Sequence, residues 1–222
     1  MVQGVFVTGT DTGVGKTVVS CALLRAFAAS GKSVVGMKPV SAGRGERCSD
    51  TEALRGASTV SVMPSLANPY AFDPAIAPHI AASLEGVRID LEVIARAFEA
   101  ITRVADLVVV EGIGGFLVPL NARETGADLA IRLGLPVVLV VGMRLGCLNH
   151  ALLTRRQIER SGLRCAGWVA NVVVPDMPYL DANVTALIER LECPLIGVVP
   201  HFREPWRADV EVKLSLAPLE AA

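Results

Sequence analysis

Short β-branched apolar runs alternate along this chain with longer stretches in which apolar residues recur every three to four positions. The runs read as strands at about 4–8, 33–38, 106–111, 136–142, 165–171 and 195–199. The longer stretches read as helices near 16–29, 50–56, 90–104, 125–133, 147–161 and 178–191. Leu107-Val108-Val109-Val110 and Val137-Val138-Leu139-Val140-Val141 are apolar without interruption, as strands buried on both faces are, and belong at the sheet centre. This alternation predicts an α/β fold, with a mostly parallel central sheet covered by helices on both faces. Residues 40–89 break the rhythm with Gly, Pro and Ser, and read as an insertion beside the active site, not as a second domain. No internal repeat or low-complexity tract is found, and residues 1–222 are expected to form one domain.

Ligands of open parallel sheets sit outside the carboxyl ends of the strands, so the loops there carry the candidate chemistry. The first is Gly-Thr-Asp-Thr-Gly-Val-Gly-Lys-Thr at 9–17, between a strand and a helix. It reads as a phosphate-binding loop. Glycines let backbone N–H groups curl around phosphate oxygens, the helix N-terminus adds positive potential, Lys16 reaches the outer phosphates and the Thr17 hydroxyl suits Mg²⁺. A nucleoside triphosphate is the expected ligand, which makes the fold P-loop NTPase-like. The spacing is a variant, since Thr10 stands where the common pattern has its first glycine. Asp11 also occupies the place where a large class of such proteins carries a second, signature lysine. A different second cation is therefore expected.

Lys38, at the end of the second strand, lies on the same sheet edge and is the candidate; a lysine that merely marks a strand end is the alternative. Glu111-Gly112-Ile113-Gly114-Gly115 follows the third strand, placing a carboxylate at the strand tip and glycines that permit close approach of a ligand. Glu111 stands where such folds keep a metal-binding carboxylate. Asp50 either joins it or caps the following helix. Mg²⁺ takes few protein oxygens besides phosphate and water, so Thr17, Glu111 and Asp50 would suffice. After the fourth strand, the helix start at Leu145-Gly146-Cys147-Leu148-Asn149-His150 either holds an anion such as a carboxylate or is an ordinary capped start. Asn171 offers a side-chain amide to a base edge, and Pro200, His201 and Phe202 offer a wall for the base.

Composition narrows the field. The net charge of −1 and the scatter of Lys and Arg predict no general attraction to nucleic acid or an anionic membrane. Five widely spaced cysteines with no C-x-x-C pair argue against a disulfide framework or zinc site and fit a reduced, cytoplasmic setting. No leader-like start and no membrane-length apolar run is found. His79, His150 and His201 match no metal-ligand spacing, and no Gly-x-Ser-x-Gly elbow appears.

Together, the loop at 9–17, Lys38-Pro39-Val40, Ser49-Asp50, Asn68-Pro69-Tyr70, Pro78-His79-Ile80, Glu111-Gly112-x-Gly114-Gly115, Gly146-Cys147-x-Asn149-His150 and Gly167-Trp168-Val169-Ala170-Asn171 closely resemble the dethiobiotin synthetase family. The match runs in order through about residue 202 and fades over the last twenty residues. The resemblance implies an ATP-dependent cyclo-ligase of biotin biosynthesis that turns 7,8-diaminopelargonate, CO₂ and MgATP into dethiobiotin, ADP and phosphate. It implies a triphosphate cradle at Gly13, Val14, Gly15, Lys16, Thr17 and Val18, with Lys16 and Lys38 as catalytic cations. Metal positions fall on Thr17, Asp50 and Glu111. ATP contacts extend to Gly112, Ile113, Gly114, Asn171, Pro200, His201 and Phe202. Thr12 and Ser41 match substrate positions. It also implies a homodimer in which Leu145, Gly146, Cys147 and Asn149 receive the carboxylate of a diamine lying at the interface.

Two departures stand out. The family usually has a hydroxyl residue where this chain has Ala42, leaving Ser41 as the substitute, and the residue after Asn171 is Val172, where the family is often polar. The competing readings are a related ATP-dependent amidoligase and a ParA/MinD-like ATPase. The first carries a glutaminase domain for which 222 residues are expected to leave no room, and the second carries the signature lysine that Asp11 replaces.

Overall fold

The computed structural model describes residues 4–43, 50–202 and 212–220. In chain order these form β1 (Gly4–Gly9), α1 (Lys16–Ala29), β2 (Val34–Met37), β3 (Val40–Ala42), α2 (Asp50–Ala57), α3 (Pro64–Ala67), β4 (Tyr70–Phe72), α4 (Pro78–Leu84) and α5 (Leu91–Thr102). They continue as β5 (Leu107–Gly115), α6 (Gly126–Leu133), β6 (Val137–Met143), α7 (Cys147–Arg160), β7 (Cys165–Val172), α8 (Leu180–Leu191), β8 (Leu195–Val199) and α9 (Ala217–Glu220).

Side chains alternate across each strand, and this divides the interior into two apolar cores. Val5 and Val7 of β1 face a core completed by Val19, Leu23, Leu24 and Phe27 of α1 and Leu54 of α2. Phe6, between them, faces the other core with Ile94, Phe98 and Ile101 of α5, Leu129 of α6, Ile158 of α7 and Leu187 of α8. The result is the expected three-layer α/β/α arrangement, a P-loop NTPase-like fold. The six-stranded sheet has the order β2-β5-β1-β6-β7-β8, with parallel pairing throughout. The strands expected to be most buried, β5 and β6, flank β1 directly, with Val5 opposite Val109 and Val7 opposite Val138. Connections run from β1 to one side through β2 and β5, then to the other through β6, β7 and β8. The carboxyl end of β1 therefore lies where they diverge, the usual place for a ligand.

The structure departs from the sequence pattern in two places. Glu111 is not at a strand tip. β5 continues through the glycines to Gly115, which pairs with Gly9 past an irregularity in the β1 register. A Cβ at Gly112 would lie 3.2 Å from the Phe6 ring, so this glycine serves the packing of β5 on β1 as well as the openness of the loop beyond. Residues 40–89 are also more regular than expected. Besides α2 they hold α3, α4 and a two-stranded parallel sheet in which Val40, Ser41 and Ala42 pair with Tyr70, Ala71 and Phe72. Strands of three residues are too short to show a period. Cys48 and Ser49 lie outside the described residues. Among the described residues, no helix is long and apolar enough to cross a membrane.

Candidate active site

The loop between β1 and α1 is held from both sides. Val14 is buried, with its two methyls against Gly9 and Gly142; a Cβ at either glycine would approach them to 2.5 and 2.8 Å. Gly13 and Gly15 adopt the left-handed conformation at φ 72° and 87°, which an L side chain rarely takes. From outside, the Asn171 amide nitrogen at the end of β7 donates to Val14 O at 2.8 Å. Asp11 fixes the other flank. Its carboxylate accepts from Thr12 N at 2.7 Å and from Arg144 Nη2 at 2.5 Å, while its carbonyl accepts from Lys16 Nζ at 3.0 Å. The Thr12 amide, and then Arg144, hold the Asp11 carboxyl below the usual carboxylate range.

Below the loop lies a compact charge cluster. Lys38 Nζ is buried, 2.5 Å from Glu111 Oε1, 2.9 Å from Asp50 Oδ2 and 3.2 Å from Gly112 O. Burial opposes its charge, but the two carboxylates outweigh burial and raise its pKa, so the ammonium form is secure. Both main-chain groups of Lys38 are tied down: its N–H donates to Ala67 O at 2.8 Å, and Asn68 Nδ2 donates to its carbonyl at 2.6 Å. Lys16 behaves in the opposite way. Burial, then the positive charge of Lys38, push it down to about 8. Asp50 is also penalised by burial, yet Lys38 beside it leaves its pKa lowered.

Thr17 Oγ1 lies 2.8 Å from Asp50 Oδ1 and 3.0 Å from Glu111 Oε1. A hydroxyl has one hydrogen to donate, so it satisfies only one of them at a time. Glu111 Oε2 is buried with no hydrogen-bond partner among the described residues. An unsatisfied carboxylate oxygen, a second carboxylate and a hydroxyl form a hard-oxygen donor set that fits Mg²⁺.

These groups open onto a cleft of about 1150 Å³. Among the residues expected at a site, Thr12, Gly13, Gly15, Lys16, Thr17, Val18, Lys38, Ser41, Asp50, Glu111, Ile113, Gly114, Asn171, Pro200, His201 and Phe202 line it. Val14 and Gly112 do not; the first is the loop's apolar anchor and the second offers its carbonyl to Lys38. Leu145, Gly146, Cys147 and Asn149 lie outside the cleft, and the Cys147 side chain is part of the core. Ser41 Oγ donates to Asn68 Oδ1 at 3.1 Å, which orients the hydroxyl beside Lys38.

Two residues escaped the sequence reading. Arg144 clamps Asp11 across 133 positions, a pairing that no local pattern announces. Asn68 orders both Lys38 and Ser41, and its only signal was the Asn68-Pro69-Tyr70 run.

A family model described as an AAA domain matches residues 3–205. The chain is 54% identical over 218 residues to the ATP-dependent dethiobiotin synthetase of Nitrosospira multiformis, covering 98% of this chain and 96% of that protein. It is 51% identical to the enzyme of the same name from Aromatoleum aromaticum, covering 95% and 96%. The chain belongs to the dethiobiotin synthetase family. Among solved structures, the Aquifex aeolicus MinC:MinD complex matches with a TM-score of 0.60 at 19% identity, covering 93% of this chain and 86% of that one. MinD of Pyrococcus horikoshii with Mg-ADP matches with a TM-score of 0.54 at 16% identity, covering 95% and 91%. At such identities the likeness is one of fold. In this chain Asp11 pairs with Arg144 at one flank of the phosphate-binding loop, and Lys38 supplies the second buried cation.

Proposed function

We propose that this chain is an ATP-dependent dethiobiotin synthetase, a ligase that forms C–N bonds while closing a ureido ring, with residues 1–222 acting as one ATP-binding unit. The observation that carries the reading is the Lys38 ammonium, buried between Glu111 and Asp50 next to Thr17 and beneath a phosphate-binding loop.

The reaction places demands that this arrangement meets. One amine of 7,8-diaminopelargonate takes up CO₂ as a carbamate, a carbamate oxygen attacks the γ-phosphate, and the neighbouring amine closes the ring as phosphate leaves. The products are dethiobiotin, ADP and phosphate. Charge builds on the transferring phosphoryl group and on the carbamate facing it, so fixed cations do most of the work and no protein nucleophile is needed. The loop amides around Gly13 and Gly15 cradle the triphosphate, Lys16 balances its outer oxygens, and Lys38 stands between carbamate and γ-phosphate. Thr17, Asp50 and Glu111 would hold Mg²⁺, which when bound neutralises phosphate oxygens. Thr12 and the oriented Ser41 hydroxyl position the diamine. Ile113 and Gly114 wall the phosphates, while Asn171, Pro200, His201 and Phe202 receive the base. Leu145, Gly146, Cys147 and Asn149 lie outside the cleft and suit the carboxylate end of a diamine bound across a homodimer interface. Leu145 is fully exposed, which suits a place at that interface. The small-molecule substrates agree with a cytoplasmic enzyme.

The test is a product assay. Protein supplied with 7,8-diaminopelargonate, bicarbonate and MgATP is expected to yield dethiobiotin and ADP in equal amounts, and no dethiobiotin under these conditions overturns the assignment. Lys38→Gln is expected to lower turnover by at least about 10²–10³-fold while calorimetry still detects ATP binding. Wild-type turnover in that variant would show that Lys38 does not stabilise the transferring group.

A further inference from the structure

Two cysteines far apart in sequence meet at the end of the sheet remote from the cleft. Cys165 opens β7, and Cys193 lies two residues before β8. The two chain ends are fixed to each other, since Trp168 N donates to Pro194 O at 2.9 Å. Their sulfurs stand 3.2 Å apart. A disulfide needs about 2.0 Å, so closure asks the sulfurs to approach by about 1.2 Å.

The pair is asymmetric in a useful way. Cys165 is buried, whereas Cys193 is partly open to solvent. Arg155 of α7 stands beside Cys193, held at that turn by donation from its Nε to Leu191 O at 2.9 Å. The Cys165 thiol donates to the Cys193 sulfur, which lowers Cys193 and raises Cys165, and the Arg155 charge favours the Cys193 thiolate further. A partly accessible thiol next to a guanidinium, backed by a second thiol in contact, combines an attacking and a resolving cysteine.

We infer that Cys165 and Cys193 form a thiol–disulfide exchange site, separate from the ATP cleft, that reacts with low-molecular-weight disulfides such as glutathione disulfide. The Cys193 thiolate attacks one sulfur of the disulfide, forming a mixed disulfide and releasing one glutathione thiolate. The Cys165 thiol then gives up its proton and attacks the Cys193 sulfur, expelling the second glutathione thiolate. Two protein thiols are oxidised, one glutathione disulfide is reduced to two glutathione molecules, and the protons go to the departing thiolates.

The experiment uses the reduced full-length protein, incubated under native conditions with excess glutathione disulfide and mapped by mass spectrometry after alkylation of the remaining thiols. The expected product has lost two hydrogens, yields a peptide linking Cys165 to Cys193, and returns to the starting mass with dithiothreitol. Cys165→Ser is expected to trap the mixed disulfide at Cys193, and Cys193→Ser is expected to leave Cys165 unmodified. A mixed disulfide that persists at Cys193 in the wild type, a bond to some other cysteine, or two freely alkylated thiols at 165 and 193 would each overturn the proposal. The wild-type peptide map decides the matter even if a serine variant folds poorly.

Discussion

Two lysines share one cleft, and their surroundings drive them in opposite directions. Lys38 is more deeply buried, yet Glu111 and Asp50 keep it charged; burial, and then the positive charge of Lys38, bring Lys16 down to about 8. Without ligand, Lys16 is therefore half neutral near pH 8, whereas a bound triphosphate favours its ammonium form. Nucleotide binding is expected to take up little proton at pH 7 and most of one proton at pH 9. Calorimetry in buffers of differing ionisation enthalpy reads this directly, and equal enthalpies across buffers at pH 9 would contradict it. The same shift acts on folding with a definite sign. Between pH 8 and the ordinary lysine value of 10.5, Lys16 binds more protons in the unfolded chain than in the folded one. Its contribution to stability thus rises with pH across that window.

At the scale of elements, the site depends on contacts between loops that the chain separates widely. Gly15 is left-handed, and a Cβ there would overlap the Asn171 amide. Gly15→Ala combines backbone strain of about 1–3 kcal/mol with that collision, so ATP affinity is expected to fall by at least about tenfold in a titration. Arg144→Ala removes a partner of Asp11 that is partly exposed, as is Asp11 itself. Such pairs contribute about 0.2–1 kcal/mol, so a loss of no more than about fivefold in ATP affinity is expected. This contrast explains what was legible in the sequence. Lys16, Lys38 and Asp50 stood out because each is a special residue type at a strand end or helix start, where open α/β sheets keep their chemistry, and Glu111 because its carboxylate interrupts an apolar strand just before a run of glycines. The Asp11–Arg144 clamp and the Asn68 brace join residues 133 and 30 positions apart, and nothing in a local period reports such distances. The glycines after Glu111 read in the sequence as room for a ligand beyond a strand tip, because openness and close packing call for the same residue; here Gly112 packs on Phe6 inside a continuing strand.

At the scale of the whole molecule, one group of expected substrate residues stands apart from the cleft. Leu145 is fully exposed just before α7, and its neighbours Gly146 and Asn149 do not line the cleft. In the proposed homodimer, that helix start is what a second copy of the chain would offer to the diamine. Sedimentation is expected to give a dimer mass for the wild type and a shift toward monomer for Leu145→Asp, with a raised KM for the diamine. Unchanged association and KM would remove Leu145 from the interface. The sheet order offers a last consequence, through Val14. This side chain is seated between Gly9 of β1 and Gly142 of β6, so the strands themselves hold the crown of the phosphate loop. The entropy of shaping the loop is lost once, at folding, and not at each turnover. Nucleotide arrival then resembles docking onto a finished surface, and ADP departure need not wait for the loop to unfold.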